Sequence, residues 1–387
     1  MSLKNWYSLC FVLFLVSCKD DSLMELPRVI VNPNPNYNIE EFPDNFSSKT
    51  IRLVASEALK VPGFVRNFEI IDSNLMLVHP HPGGIINLVK FDGTVSWSKQ
   101  QNEHPFQSYS GIGKVVVDHV DESIFVYDFR ETKRVKYDYA GSFIKSRPLP
   151  IVHGDVEHFD GAAFFNIEGY PNLAVGDLAD QKIEILKMDD SIANSSVISY
   201  SYSYKEGEVP YYDNNDFVVD GNKLYFSRNY DDTLFVVTGN KLEPSIICGV
   251  FDQARIEELR ASSSGNAYGA LQNAYNQNIP VTSYVAPSSN FIYVGYVNNL
   301  TEYFAIVKDN KVLTNSNLYE IDGKYIFGRI DYRNGWLLNQ MRGAEYDFLQ
   351  KYMLENPTAT YSQAKEALST VYQSSDLEYV YTLIRKR

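Results

Sequence analysis

No basic stripe runs through this 387-residue chain, which carries 48 acidic side chains against 35 Lys and Arg, a formal charge of −13. With nothing to neutralise a phosphate backbone, nucleic acid is excluded as a partner. Cysteine is scarce, and three thiols cannot form a disulfide framework. Cys10 lies in an N-terminal apolar run, Cys18 ends that run, and Cys248 follows Ile246 and Ile247 in a strand-like stretch that implies a buried, inert thiol. Beyond the N-terminus no apolar run reaches the ~18 residues that a membrane-spanning helix needs. Gly-x-Ser-x-Gly, a Gly-rich phosphate loop and EF-hand spacing are all missing. The sequence therefore implies no cofactor and no metal, and it offers no linear catalytic motif.

Aromatic residues are abundant. They make up 14% of the chain, mostly as 29 Tyr and 22 Phe, and they favour sheets and sugar- or protein-binding surfaces over a helical bundle. The stretch Lys114–Arg147 organises the rest. It holds four runs rich in Val, Ile, Phe and Tyr, broken at Asp121-Glu122, Arg130-Glu131-Thr132 and Ala140-Gly141. Those breaks describe a four-stranded antiparallel meander, which needs copies of itself to bury its faces. A first turn recurs at Ser73-Asn74, Asp121-Glu122, Glu168-Gly169, Asp220-Gly221, Ser288-Ser289 and Asn334-Gly335. A later turn recurs at Asp92-Gly93, Ala140-Gly141, Asp189-Asp190, Gly239-Asn240 and Asp309-Asn310. The interval of roughly 50 residues is that of propeller blades. The last unit supplies only Tyr325–Asp331, Trp336–Asn339 and Tyr379–Ile384, whereas a lone strand-like segment, Thr50–Val54, precedes the first. Pairing the two closes a ring and removes its sheet edges. The expected fold is all-β: a six-bladed β-propeller with N-/C-terminal strand closure and small helical insertions on one face.

Three segments divide the chain. Residues 1–17 read as a signal peptide, with Lys4 before the short apolar core Leu9–Val16. Leu15-Val16-Ser17-Cys18 resembles the bacterial lipobox, which implies cleavage before Cys18 and its lipidation. Lys19-Asp20-Asp21 resembles the export signal of surface lipoproteins in Bacteroidota. Residues 18–49, with Pro27, Pro33, Pro35 and Pro43, read as an extended tether, and residues 50–387 as the propeller. The lipobox, the tether, Asp231–Phe235 opening a third strand and the final Glu378–Ile384 strand together resemble the six-bladed propeller lipoproteins of Bacteroidota, relatives of NHL-repeat propellers. The resemblance implies an outer-membrane lipoprotein, surface-exposed or, alternatively, facing the periplasm. It brings no catalytic set.

The first-to-second and third-to-fourth turns share one face of a propeller, and here they are tight. The second-to-third loops and the blade links share the other face and hold the long segments, so function is expected there. Asp252–Arg260, Tyr346–Leu354 and a Thr360-x-x-Gln363 capping box with Ala364, Ala367, Leu368 and Val371 mark helices on that face. The expected binding set is His79 and His81 in His-Pro-His-Pro-Gly-Gly, His104, His153 and His158 flanking Asp155 and Glu157, Arg130 and Arg228 in equivalent loops, and Tyr211-Tyr212 after Pro210. Imidazole and carboxylate can bind a metal, but two loop histidines five apart have no enforced geometry. Tyr200, Tyr202 and Tyr204 alternate as strand residues and pack; the flat rings of Tyr211 and Tyr212 suit sugars or protein. Asp92–Trp97 resembles part of a sialidase aspartate box, yet it lacks the Ser-x-Asp start and reads as a hairpin turn. The expected function is that of a membrane-anchored, non-enzymatic binding module for a glycan, peptide or partner protein. The alternative is a propeller hydrolase or lyase with its site at the long-loop face.

Overall fold

The computed structural model describes residues 26–31, 40–54, 65, 67–79, 84–102, 107–149, 155–167, 182–189, 195–201, 217–227, 233–250, 273–274, 276–288, 290–298, 301–371 and 378–387. Cys18 and the expected helix at 252–260 lie outside them.

The architecture is an all-β propeller with few helices. In chain order, sheet one is Asn67–Ile71, Asn74–His79, Ile85–Lys90 and Val95–Gln100; sheet two is Ile112–Asp118, Ser123–Asp128, Lys133–Asp138 and Phe143–Pro148. Sheet three is Val156–Phe159, Ala162–Asn166, Lys182–Met188 and Ser195–Ser201; sheet four is Phe217–Asp220, Lys223–Ser227, Thr233–Thr238 and Lys241–Gly249. Sheet five is Val281–Ser288, Phe291–Asn298, Thr301–Lys308 and Lys311–Ser316. Sheet six is Ile330–Arg333, Trp336–Arg342, Glu378–Lys386 and, from the other end of the chain, Phe46–Val54. A smaller sheet joins Glu40–Glu41 to the hairpin Leu318–Ile321 and Lys324–Phe327.

The expected closure is present: Phe46–Val54 runs antiparallel to Glu378–Lys386, with Leu53 opposite Tyr379 and Ile51 opposite Tyr381. One turn differs from expectation. Sheet three turns at Asp160-Gly161 (φ 50° and 76°), not at Glu168-Gly169, because Asp-Gly supplies the two positive φ values that a two-residue hairpin needs.

The first two sheets bury both faces against their neighbours, which is why the middle of each second strand is apolar: Leu75–Val78 and Ile124–Tyr127 are buried. Separate apolar clusters fill the successive gaps. Met76, Val78 and Leu88 meet Val115, Val126 and Tyr137 between sheets one and two. Ile51, Leu53, Tyr381 and Leu383 meet Phe68, Leu75 and Leu77 between sheets six and one. Cys248 is fully buried between sheets four and five, as its apolar run implies. In that sheet-five wall Gly295 sits opposite Tyr284, and a Cβ there would fall inside the Tyr284 ring. The missing side chain lets the ring lie flat, so its hydroxyl donates to Ile330 O across the next gap.

Two helices, α1 (Gly343–Glu355) and α2 (Tyr361–Ser369), fill the second-to-third connection of sheet six. The expected capping box starts α2: Thr360 N–H donates to Gln363 Oε1 at 2.8 Å, and Gln363 N–H donates back to Thr360 Oγ1 at 3.4 Å. Tyr346, Leu349, Met353, Ala364 and Leu368 pack on Leu318 and Val380, so the helices cover the small sheet's hairpin.

The segment expected as a tether departs most from its reading. Arg28–Ile30 adds a parallel fifth strand to the outer edge of sheet four, and Val29, Val31, Phe42 and Phe46 are buried in the gaps around sheet five. Proline and asparagine raise the apparent looseness of 18–49, but short apolar stretches between them, Val29-Ile30-Val31 first, have inter-sheet pockets to fill.

Candidate functional site

The inner strands of sheets one to six converge on the axis and end at tight turns. Because Asp favours turn starts, those turns bring carboxylates to the mouth with little chain to cover them. The result is a well of roughly 1330 Å³ on the tight-turn face. Among the described residues its wall carries six carboxylates, Glu69, Asp118, Asp121, Glu157, Asp160 and Asp220, and no Lys or Arg. His119 and His158 stand among them, with Phe159 and Trp336 as aromatic wall. Val120 is 98% exposed at the rim.

The floor is an ion cluster. Arg333, on the inner strand of sheet six, lies 3.0 Å through Nε from Glu69 Oε2 of sheet one and 2.5 Å through Nη1 from Glu157 Oε2 of sheet three. Asn334 Nδ2 donates to the same Glu69 oxygen at 2.9 Å. All three charged side chains are buried, so each depends on the others for its ionised form. Burial opposes charge on Arg333, but Glu157 and Glu69 outweigh it and hold the guanidinium above its ordinary pKa. Burial would likewise raise the Glu69 carboxyl; His119 and Arg333 overcome it and hold it below the usual range. Beneath the floor the axis narrows to a small cavity of about 30 Å³ between Asn67, Lys114, Tyr284 and Asp331.

The two histidines are held by neighbours. The Tyr127 hydroxyl meets His158 Nε2 at 2.6 Å, and His158 Nδ1 faces Asp118 Oδ2 at 3.5 Å. That contact pulls Asp118 down to about 2 against the effect of burial. His119 Nε2 lies 3.9 Å from Glu69 Oε1, and its Nδ1 meets the Tyr139 hydroxyl at 3.1 Å. Glu69 raises the His119 pKa above 6.5 despite partial burial.

These shifts fix a pH window. The raised His119 contributes stability that is fully present below its unfolded value near 6.5 and is lost as pH rises through the folded value. The depressed Glu69 contributes stability present above 4.5 and lost as pH falls through its folded value. Urea melts are therefore expected to give a maximum between about pH 4.5 and 6.5, and a His119→Gln variant should lose the decline on the alkaline side. An unchanged profile in that variant would contradict the pairing.

Of the residues expected to form one site, the three that are described do not come together. His79 ends the second strand of sheet one at the long-loop face but is fully buried. Arg130 follows the second strand of sheet two at that face, exposed, with its guanidinium over Phe129 at 5.8 Å. His158 is at the opposite end of the molecule from both. It sits in an inner strand just before the tight turn, so it lines the axial well. His81, His104, His153, Tyr211, Tyr212 and Arg228 lie outside the described residues. Sequence reasoning missed Arg333, Glu69 and His119. The available signal was a charged residue inside an otherwise apolar inner strand, as at Glu69 in Asn67–Ile71.

The chain belongs to the DUF5128 family, described as a 6-bladed beta-propeller, whose model matches residues 107–330. A Bacteroides fragilis protein described as exported has a similar structure, at 14% identity and a TM-score of 0.62, over 90% of this chain and 99% of that one. A member of the DUF4221 family from Bacteroides vulgatus is similar at 9% identity and a TM-score of 0.50, over 91% of this chain and 100% of that one. At these identities the likeness is one of fold. No curated protein matches the sequence. Among the described residues no helix is long and apolar enough to cross a membrane.

Proposed function

We propose that this protein is an exported, lipid-anchored propeller of six blades that binds a positively charged ligand in its axial well without transforming it. The observation that carries the reading is the well itself, open and lined by six carboxylates; Arg333 pairs Glu69 and Glu157 at its floor and Lys136 pairs Asp121, so Asp160 and Asp220 at the turns carry the charge a ligand would meet. Its potential attracts cations, and Phe159 gives an ammonium or guanidinium group a π-face beside them. The imidazole of His158 is engaged with Tyr127 and Asp118, which favours holding a ligand over proton transfer to one. A basic peptide or a basic patch on a partner protein fits this lining better than a neutral glycan.

Six blades are favoured because the well draws lining residues from sheets one to six and none from the small sheet at 318–327. That hairpin is wedged between sheets five and six, where Tyr319, Ile321 and Ile326 pack on both. Lipidation at Cys18 rests on Leu15-Val16-Ser17-Cys18. The exported Bacteroides fragilis relative of similar structure supports export of this chain.

The test is calorimetric titration of the mature chain with a lysine-rich peptide, its fully acetylated form and a neutral oligosaccharide. The lysine peptide alone is expected to bind, with affinity falling as salt rises. Asp160→Asn with Asp220→Asn should weaken it about 10-fold, a change of ~1.4 kcal/mol. Equal binding of the acetylated peptide, or no effect of the double variant, would overturn the reading.

A further inference from the structure

The N-terminal segment that follows Cys18 is seated on the propeller. Ile247 N–H donates to Pro27 O at 3.0 Å and Val31 N–H to Gly249 O at 2.8 Å, bracketing the parallel pairing of Arg28–Ile30 with Ile247–Gly249. Val29 and Val31 are buried beside Leu234 and Cys248. Further on, Glu40–Glu41 pairs with Tyr319 and Glu320, Thr314 Oγ1 donates to Glu40 Oε2 at 3.3 Å, and Phe42 stacks edge-on against Tyr319 at 4.9 Å. The described parts of this segment form a strap that lies on the outer edge of sheet four and against sheet five and the small sheet.

From this we infer that the strap makes the rim of sheet four the membrane-facing surface and holds it on a short leash. The inference rests on lipidation of Cys18. Cys18 and Arg28 are ten residue steps apart. A fully extended chain covers at most ~3.6 Å per step, so the attachment point on sheet four stays within about 35 Å of the bilayer. A tether free up to Phe46 would reach roughly 100 Å by the same rule. Sheet one lies three sheets away around the ring, on the side turned from the lipid. The axis, and the well along it, then opens sideways along the membrane. A partner anchored in the same membrane can reach it, and one presented from far outside meets the opposite rim first.

Energy transfer tests this in proteoliposomes carrying the lipidated full chain and acceptor-labelled lipid. A donor is placed on sheet four by Glu243→Cys or on sheet one by Ser96→Cys, both at exposed outer-strand positions. Transfer should be several-fold greater from Glu243→Cys. Adding Val29→Asp with Val31→Asp should release the strap and bring the two donors to similar, lower transfer, with circular dichroism confirming that the propeller persists. Equal transfer from both donors with the strap intact overturns the proposal, as does an unaltered difference after strap release in a folded protein. A Cys18→Ala chain that stays on the membrane would instead overturn the anchor reading and this inference with it.

Discussion

Replacing Arg333 with methionine is expected to destabilise the protein by about 3–5 kcal/mol at neutral pH, the cost of stranding buried charge. Methionine approximates the length of the side chain, so lost volume contributes little. What remains is Glu69 and Glu157, both buried, facing one another without the guanidinium that lies 3.0 and 2.5 Å from them. The pH response should also change sign. In the native protein Glu69 is depressed, so its contribution is lost on acidification. Without Arg333, burial and the like charge of Glu157 are expected to outweigh the remaining hydrogen bond from His119 and push the carboxyl above its unfolded value, so stability is lost as pH rises. Urea melts of Arg333→Met at pH 5 and pH 7 should thus rank in that order of stability. Adding Glu69→Gln and Glu157→Gln should recover most of the deficit, because neutral amides remove the stranded charge. A loss below about 1 kcal/mol, or no recovery in the triple variant, would show that the cluster does not tie the inner strands together at the axis.

That cluster is invisible in the sequence for a definite reason. Arg333 lies between Tyr332 and Asn334-Gly335, which reads locally as an exposed hairpin shoulder, and its partners come from sheets one and three. Period-2 patterning reports which residues are buried within a strand; it does not report which distant strands meet at an axis. The strands themselves are legible because each is a short Val-, Ile-, Phe- or Tyr-rich run ended by a turn residue, and the α2 capping box is legible because its two partners are three residues apart. Loop length alone points to the wrong face. Long loops do gather at the second-to-third connections, but the charged well arises where inner strands end in short turns. His158 belongs to it through the turn at Asp160-Gly161, eight residues before the Glu168-Gly169 pair that the repeat spacing favours. The strap escapes notice because Val29-Ile30-Val31 is a run of only three apolar residues followed by Asn and Pro, too short to make a periodic signal.

Deleting Glu378–Arg387 is expected to abolish folding. The strand Glu378–Lys386 lies inside sheet six, bonded on one side to Trp336–Arg342 and on the other to Phe46–Val54. Its loss removes both ladders at once and leaves Phe46–Val54 with no strand to join, so the ring opens where the chain ends meet. Val380, Tyr381, Leu383 and Ile384 are buried in three clusters, against sheet one, sheet five and the helices. At about 1.5–3 kcal/mol for each buried apolar side chain, their removal alone approaches the 5–15 kcal/mol by which a domain of this kind is stable. Removing Arg387 alone makes an instructive contrast. It loses one backbone bond to Asn45 O at 2.7 Å and an exposed ion pair with Asp322 at 2.9 Å, together expected to cost on the order of 1 kcal/mol. Soluble yield and the thermal transition by circular dichroism distinguish the two cases. A cooperative melt from the ten-residue truncation would mean that the ring closes without its last strand, and that pairing of the chain ends is not what holds it shut.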